Sequence, residues 1–274
     1  MASIHALRAR VESSLAGRIA APFAYRDRRM ADTVSCGIPE IDQLTGGLPR
    51  GGLTEICGPP CSGRTSVLLA ALAARTAQAE ACALVDGRDG FDPHAAKAAG
   101  VRLEQLLWVR CRDIEQALRA TDLLLRGGGF GLIAVDLADL EPRTVRGITL
   151  NTWFRFRRAV EDTPSILLLL EQESNAKTCA SLVLRLEAET ARWFGTPENA
   201  GKKPQGPVRR LRTEALSYNE PWTHLLGGFG VRAELVHARV QPEQAIASGG
   251  AVPKRTIPAI FETRTEWSVQ AKTG

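Results

Sequence analysis

The stretch LTEICGPPCSGRTSVLLAALAARTAQAE, residues 53–80, decides the fold. It opens on a short apolar run, breaks at Gly58 and two prolines, and continues through small and apolar residues. That order reads as a strand feeding a helix through a glycine-rich turn. The turn itself, GPPCSGRTS (58–66), has the spacing of a phosphate-cradling loop, G-x-x-x-x-G-K-[ST]. Backbone N–H groups around Gly58, Ser62, Gly63, Arg64, Thr65 and Ser66, with the helix N-terminus behind them, then face a phosphate of a nucleotide such as ATP. Thr65 is placed to be the Mg²⁺ ligand.

Arg64 stands where that loop carries lysine. Lysine is a compact ammonium, whereas the guanidinium is wider, planar and fixed in its fork. The charge is kept, so binding can survive. A misplacement of about 1 Å at a developing transition state costs on the order of 100-fold in rate, however. Pro59 and Pro60 also remove two N–H donors from the turn.

Working outward, CALVDG, LLWVRC, LIAVDL and SILLLLEQ are further apolar runs, separated by helical stretches such as DIEQALRATDLLLR, which Asp113 opens as an N-cap. Continuous apolar strands alternating with helices predict a mostly parallel twisted sheet covered on both faces. SLVLRLEAE, VRRLRTEAL and VRAELVHARV come next without intervening helices and alternate in character, which predicts an antiparallel extension of that sheet. Residues 3–19 have helical apolar spacing at Ile4, Leu7, Val11, Leu15 and Ile19. The expected organisation is an N-terminal helix and linker (1–34), an α/β core (35–240) and a flexible C-terminal tail (241–274). The tail's apolar island, IPAIFETRTEW, reads either as a docking segment or as a final strand clasped to the domain.

The chain has 274 residues, 44% of them hydrophobic, which suffices for one sizeable core. A net charge of +5 permits contact with nucleic acid without demanding it. The N-terminus has no continuous apolar segment and no stretch reaches the length of a membrane span, so a cytoplasmic protein without membrane contact is expected, nucleoid association staying open. The six cysteines form no CxxC pair and read as buried reduced thiols, including Cys57 and Cys61 beside the loop. The scattered histidines offer no zinc spacing.

LIAVD ends on Asp136, where a carboxylate can hold Mg²⁺ through water, completing the loop's signature with Thr65. GIPEIDQLTGGLPRGGLTEICGPPCSGRTS looks like the start of a RecA-type recombinase core, and ALVDGRDGFDP, LIAVD, LLLLEQES and LVLRLE are similar to its later strands. The likeness spans about residues 35–190 and implies a RecA-like P-loop NTPase core in which Gln172 is the nucleotide sensor. It also implies a catalytic glutamate two residues beyond Asp86, where this chain has Arg88. Arginine stays protonated and cannot be a general base. Asp89 substitutes only if the turn is rebuilt. The long DNA-gripping loop expected after Gln172 is missing or very short.

With the phosphate lysine, catalytic glutamate and DNA loop all altered, the chain resembles the ImuA family, RecA-like accessory proteins of a translesion-synthesis mutagenesis cassette. That resemblance implies a damage-tolerance factor, part of induced mutagenesis in the SOS response, that contacts a Y-family-like polymerase partner, an error-prone polymerase α-subunit or RecA. No catalytic residue is assigned. The competing readings are a slow Mg²⁺-dependent, DNA-stimulated ATPase using Arg64, Thr65 and Asp136, and a nucleotide-independent DNA-binding module. For the latter, RTVRGITLNTWFRFRR (143–158) offers Arg143, Arg146 and Arg155, and KKPQGPVRRLR (202–212) offers Lys202, Lys203, Arg209 and Arg210, for DNA or partner contact. The opposing readings are a core helix, with Trp153, Phe156 and Val160 on one face, and a solvated loop.

Overall fold

A computed structural model describes residues 32–194, 225–239 and 259–264. Contacts divide the chain into Met1–Asp32 and Thr33–Gly274, and every described helix and strand belongs to the second unit. The predicted helix at 3–19, the strand VRRLRTEAL and the loop 195–207 lie outside the described residues.

A small antiparallel pair, β1 (Thr33–Val34) and β2 (Leu48–Pro49), brackets helix α1 (Pro39–Thr45). Pro39 stands in the first turn of α1, and Gly46 ends it in the left-handed conformation with its N–H on Asp42 O. The main chain then runs β3 (Gly52–Cys57), α2 (Arg64–Ala77), β4 (Cys82–Asp86), α3 (Pro93–Ala98), β5 (Leu106–Arg110), α4 (Ile114–Gly127) and β6 (Leu132–Asp136). It continues through α5 (Pro142–Arg146), α6 (Leu150–Val160), β7 (Ile166–Glu171), β8 (Leu182–Phe194), β9 (Leu225–Ala238) and β10 (Ala259–Arg264).

Eight strands form one sheet in the order β10-β9-β8-β3-β7-β6-β4-β5. From β8 to β5 the neighbours are parallel, and β8, β9 and β10 are joined antiparallel. This is the expected α/β architecture with its antiparallel extension. Residues 172–181, including a 3₁₀ turn at Lys177–Cys179, link β7 to β8, so the connection after Gln172 is short.

The inner parallel strands β3, β4, β6 and β7 are buried along nearly their whole length because helices cover both faces. In β7, Ile166, Leu168 and Leu170 join Val67, Leu68 and Leu72 of α2 on one face. Leu167 and Leu169 join Trp153, Phe156 and Val160 of α6 on the other. The core-helix reading of 143–158 therefore describes its aromatics, save Phe154, which is exposed. Fully burying one such side chain contributes about 1.5–3 kcal/mol.

The island in the C-terminal segment is the edge strand. Phe261 of β10 is buried, and α1 packs on β9 and β10. Ala259–Arg264 is thus clasped to the domain. The remainder of the expected tail lies outside the described residues.

Candidate functional site: the loop after β3 and the carboxylates around it

The parallel strands β3, β4, β6 and β7 end side by side. Cys57 stands opposite Glu171, and Asp86 opposite Asp136. Ligands of open α/β sheets bind outside these carboxyl ends, at the point where strand order reverses. The loop Gly58–Gly63 leaves β3 here, and α2 begins at Arg64 with Gly63 as its N-cap at φ 92°.

Both glycines are required by packing. A Cβ on Gly58 would lie 2.3 Å from Leu186 O and 2.6 Å from Ser62 Oγ. One on Gly63 would lie 2.8 Å from Val231 Cγ2 and would sit in a left-handed conformation. Ser62 is buried, and its Oγ has no hydrogen-bond partner. No side chain caps α2, whose first N–H groups lack intrahelical acceptors by construction. Thr65 is exposed and Ser66 half-buried in that first turn. An orphaned hydroxyl beside an uncapped helix start fits a phosphate oxygen.

Arg64 points inward. It is 6% exposed, and Nη1 donates to Glu171 O at 2.9 Å, the carbonyl that also accepts Gly58 N at 3.3 Å. Burial lowers its affinity for a proton, while Asp136 and Asp139 act to raise it. Asp136 is pushed up to about 6, first by burial and further by Asp139 and Asp86, against the bond that Oδ1 accepts from Ala138 N at 3.0 Å. Thr65 is exposed and Asp136 half-buried, and these are the residues that would hold Mg²⁺. Gln172, the expected sensor, turns to the same loop and donates Nε2 to Ala138 O at 2.8 Å.

The turn after β4, where the RecA-type likeness expects a catalytic base, is built around Asp86. Asp86 is buried and accepts four donors: Arg88 N at 3.2 Å, Gly90 N at 3.2 Å, Phe91 N at 2.9 Å and Trp108 Nε1 at 3.2 Å. It ties down the turn 87–91 and leaves Arg88 exposed. Asp89 takes a two-pronged bond from Arg110, Nε at 2.6 Å and Nη2 at 2.5 Å, and Arg110 lies over the Trp108 ring. Asp89 is therefore engaged with a cation, which holds its carboxyl below the usual range.

Two carboxyls that the sequence reading did not single out sit just beneath. Glu55 of β3 and Glu171 of β7 are fully buried. Glu55 accepts Ser174 Oγ at 2.6 Å, Asn175 N at 2.5 Å and Ala176 N at 3.0 Å. Glu171 Oε2 accepts Asn175 Nδ2 at 2.7 Å, while Oε1 has no partner. Burial, then the neighbouring Glu55 charge, lifts the Glu171 carboxyl well above its ordinary value. Their signal in the sequence was a lone acid inside each of the apolar runs LTEIC and LLLLEQ.

Among the arginines proposed for contacts, Arg146 pairs with Glu173 at 3.2 Å. Arg155 pairs with Asp122 at 3.1 Å and lies over the Phe156 ring. Arg143 is exposed on α5. Lys202, Lys203, Arg209 and Arg210 lie outside the described residues. Of the cysteines, Cys57 is buried and its thiol pushed up to about 11 by burial and by Glu55. Cys61 departs from the expected buried state: it is exposed, at φ 61°, because the loop's two glycines turn toward β8 and β9 and leave it on the outer side.

Comparison with known proteins agrees with this geometry. The family model described as "RecA N-terminal domain" matches residues 12–149. The chain is 35% identical to the protein RecA of Saccharopolyspora erythraea over 154 residues, 56% of this chain and 44% of that protein. It is 41% identical to RecA of Psychrobacter cryohalolentis over 115 residues, 41% of this chain and 33% of the relative. It is 40% identical to RecA of Ectopseudomonas oleovorans over 121 residues, 43% and 35% respectively. The chain thus spans less than half the length of these curated relatives. Among the described residues no helix is long and apolar enough to cross a membrane.

Proposed function

Because the chain belongs to the family of the RecA N-terminal domain, we propose that it serves DNA damage tolerance as a RecA-like accessory protein of the ImuA type. In this reading it brings together the partners of translesion synthesis and induced mutagenesis without efficient ATP hydrolysis. Those partners are a Y-family-like polymerase, an error-prone polymerase α-subunit, or RecA itself. It works in the cytoplasm, at the nucleoid when DNA is engaged.

The observation that carries this reading is the turn after β4. The position for a water-activating carboxylate holds an exposed arginine, Arg88, and the neighbouring Asp89 is clamped by Arg110. General-base catalysis needs a group that can accept a proton within reach of the nucleophile. Neither side chain is available for that. The short link from β7 to β8 is consistent with partner contact rather than a long DNA-gripping loop.

The test is twofold. Purified protein is given labelled ATP with and without single-stranded DNA, and the same protein is used as bait against the polymerases and RecA. Negligible turnover with capture of one of these partners is the expected result. DNA-stimulated turnover on the scale of RecA sinks the proposal.

A further inference from the structure

We propose that the outer face of α6, with the cleft between α5 and the β7–β8 link, is a docking surface for a protein segment that carries apolar anchors beside acidic residues. The inference rests on the accessory-protein reading above and names the chemistry of the partner's contact.

Four observations carry it. First, α6 turns hydrocarbon to solvent on the face opposite its core contacts. Trp153, Phe156 and Val160 fill the inner face, yet Leu150 is 44% exposed and Phe154 45%. Four residues apart, the two are neighbours on one stripe of the helix. One exposed apolar residue is ordinary, but a pair beside an apolar cleft makes a patch. Second, that cleft is present. Leu137, Leu140, Pro142 and Val145 line it together with Glu173 and Asn175 of the link, around about 190 Å³. Small-molecule pockets run to about 300–1,000 Å³, so this one suits a single anchoring side chain. Only Gly147–Thr149 separate α5 from α6, and Ile148 N donates to Val145 O at 3.1 Å, so cleft and stripe adjoin. Third, the walls are set in advance. Gln172 donates to Ala138 O, and Glu55 holds Ser174, Asn175 and Ala176. A surface already ordered loses little entropy when a partner arrives. Fourth, the charge is one-sided. Residues 142–160 hold Arg143, Arg146, Arg155, Arg157 and Arg158 and no acidic residue. Arg158 continues the Leu150–Phe154 stripe and meets Glu161 only at 3.7 Å. Arg143 is exposed and makes no ion pair among the described residues. Two apolar residues followed by a cation call for apolar anchors followed by a carboxylate.

Nucleic acid is the competing occupant, and the surface suits it less. Gripping a backbone needs donors along the path of the phosphates. Here the outermost groups of the stripe are hydrocarbon, and the carboxylates of Glu173 and Glu161 stand at its margins. Arg146 and Arg155 are already held by Glu173 and Asp122. An apolar centre inside a charged rim is the anatomy of a protein contact, and aromatic and arginine side chains are its usual anchors.

The experiment is fluorescence polarisation of the full chain with three sets of labelled probes. The first is a panel of short amphipathic peptides with leucine and tryptophan anchors among aspartates and glutamates. The second has the same anchors among lysines, and the third is a mixed-sequence single-stranded oligodeoxynucleotide. The expected result is binding of acidic peptides about tenfold or more tighter than of either other probe. Leu150→Ser and Phe154→Ser should each weaken it by about tenfold or more. Arg143→Glu should weaken it by about threefold and flatten its dependence on salt. Ile260→Ser, at an exposed apolar residue of β10, should change nothing. Should Phe154→Ser fold poorly, Leu150→Ser and Arg143→Glu carry the test. Preference for the basic peptides or the oligonucleotide, undiminished binding by Phe154→Ser and Leu150→Ser, or no binding of any probe overturns the inference. So does capture of a polymerase or RecA equally by the unaltered protein and by these variants, which leaves the accessory-protein reading standing. Acidic peptides bound as expected, with no capture of those proteins, sink that reading and not this one.

Discussion

The buried pair Glu55 and Glu171 makes a prediction whose sign is unusual for a carboxylate. Glu55 takes three donors, two of them backbone N–H groups, an arrangement that suits an acceptor-only carboxylate. Glu171 receives one donor and has an orphaned oxygen, so the proton of the pair sits there. A carboxyl whose folded pKa lies above its unfolded value binds more protons in the native state. Stability is then full below the ordinary value of 4.5 and falls as pH rises through the raised folded value. Within that window each pH unit costs about 1.4 kcal/mol. Glu171→Gln imitates the protonated acid at every pH. It keeps an acceptor for Asn175 Nδ2 and supplies N–H donors toward Glu55. The variant should match the wild type near pH 4.5 and exceed it by about 1–3 kcal/mol at neutral pH, the cost of one buried unsatisfied group. In a domain of this size that is a rise in Tm of roughly 2–12 °C. Glu55→Gln should do the opposite, lowering stability at neutral pH, because a neutral amide oxygen accepts the Asn175 and Ala176 N–H groups less strongly and the amide nitrogen takes the place of the oxygen that Ser174 Oγ meets. The assay is urea unfolding followed by circular dichroism between about pH 5 and pH 9. Parallel wild-type and Glu171→Gln profiles across that range would refute the assignment of the proton. So would a wild-type stability that rises with pH in step with the variant's.

Three further outcomes stem from packing and hydrogen bonding. Gly58→Ala places a Cβ 2.3 Å from Leu186 O and should cost more than about 2 kcal/mol in thermal unfolding, with or without nucleotide. Trp153→Ala, at a side chain 1% exposed between α6 and the sheet, should cost about 3–5 kcal/mol. Asp86→Asn turns an amide nitrogen toward two of the four donors whichever way it lies, so hydrogen exchange should show lost protection in the turn 88–91, with β6 and β7 unaffected.

The parallel half of the sheet was legible because its strands are uninterrupted apolar runs, and helices covering both faces are the one arrangement that buries them. The antiparallel half was legible from alternation in SLVLRLEAE and VRAELVHARV. IPAIFETRTEW supports two readings in sequence, since an apolar island suits a docking segment as well as an edge strand. What distinguishes them is Phe261, which enters the core on α1's side while Ile260 faces out. Glu55 and Glu171 were not legible as a pair. Each is one acid in an apolar strand, and only the β3–β7 register sets them on one face. Arg64 was visible as a residue, but its direction was not. An arginine at a helix start can reach solvent or fold back, and the Glu171 carbonyl decides it.

The inward turn of Arg64 changes how the glycine-rich spacing itself is to be weighed. Gly58 and Gly63 match a nucleotide loop, yet each is demanded by a neighbour in the antiparallel extension, the Leu186 carbonyl and the Val231 side chain. This chain would need glycine at both positions whether or not a phosphate ever entered. The spacing is therefore evidence for how β3 and α2 meet β8 and β9. The informative residues are those that packing does not require. Ser62 Oγ, buried and unbonded, points to a ligand. Arg88, exposed where the RecA-type likeness expects a base, is what the proposed role without efficient hydrolysis rests on.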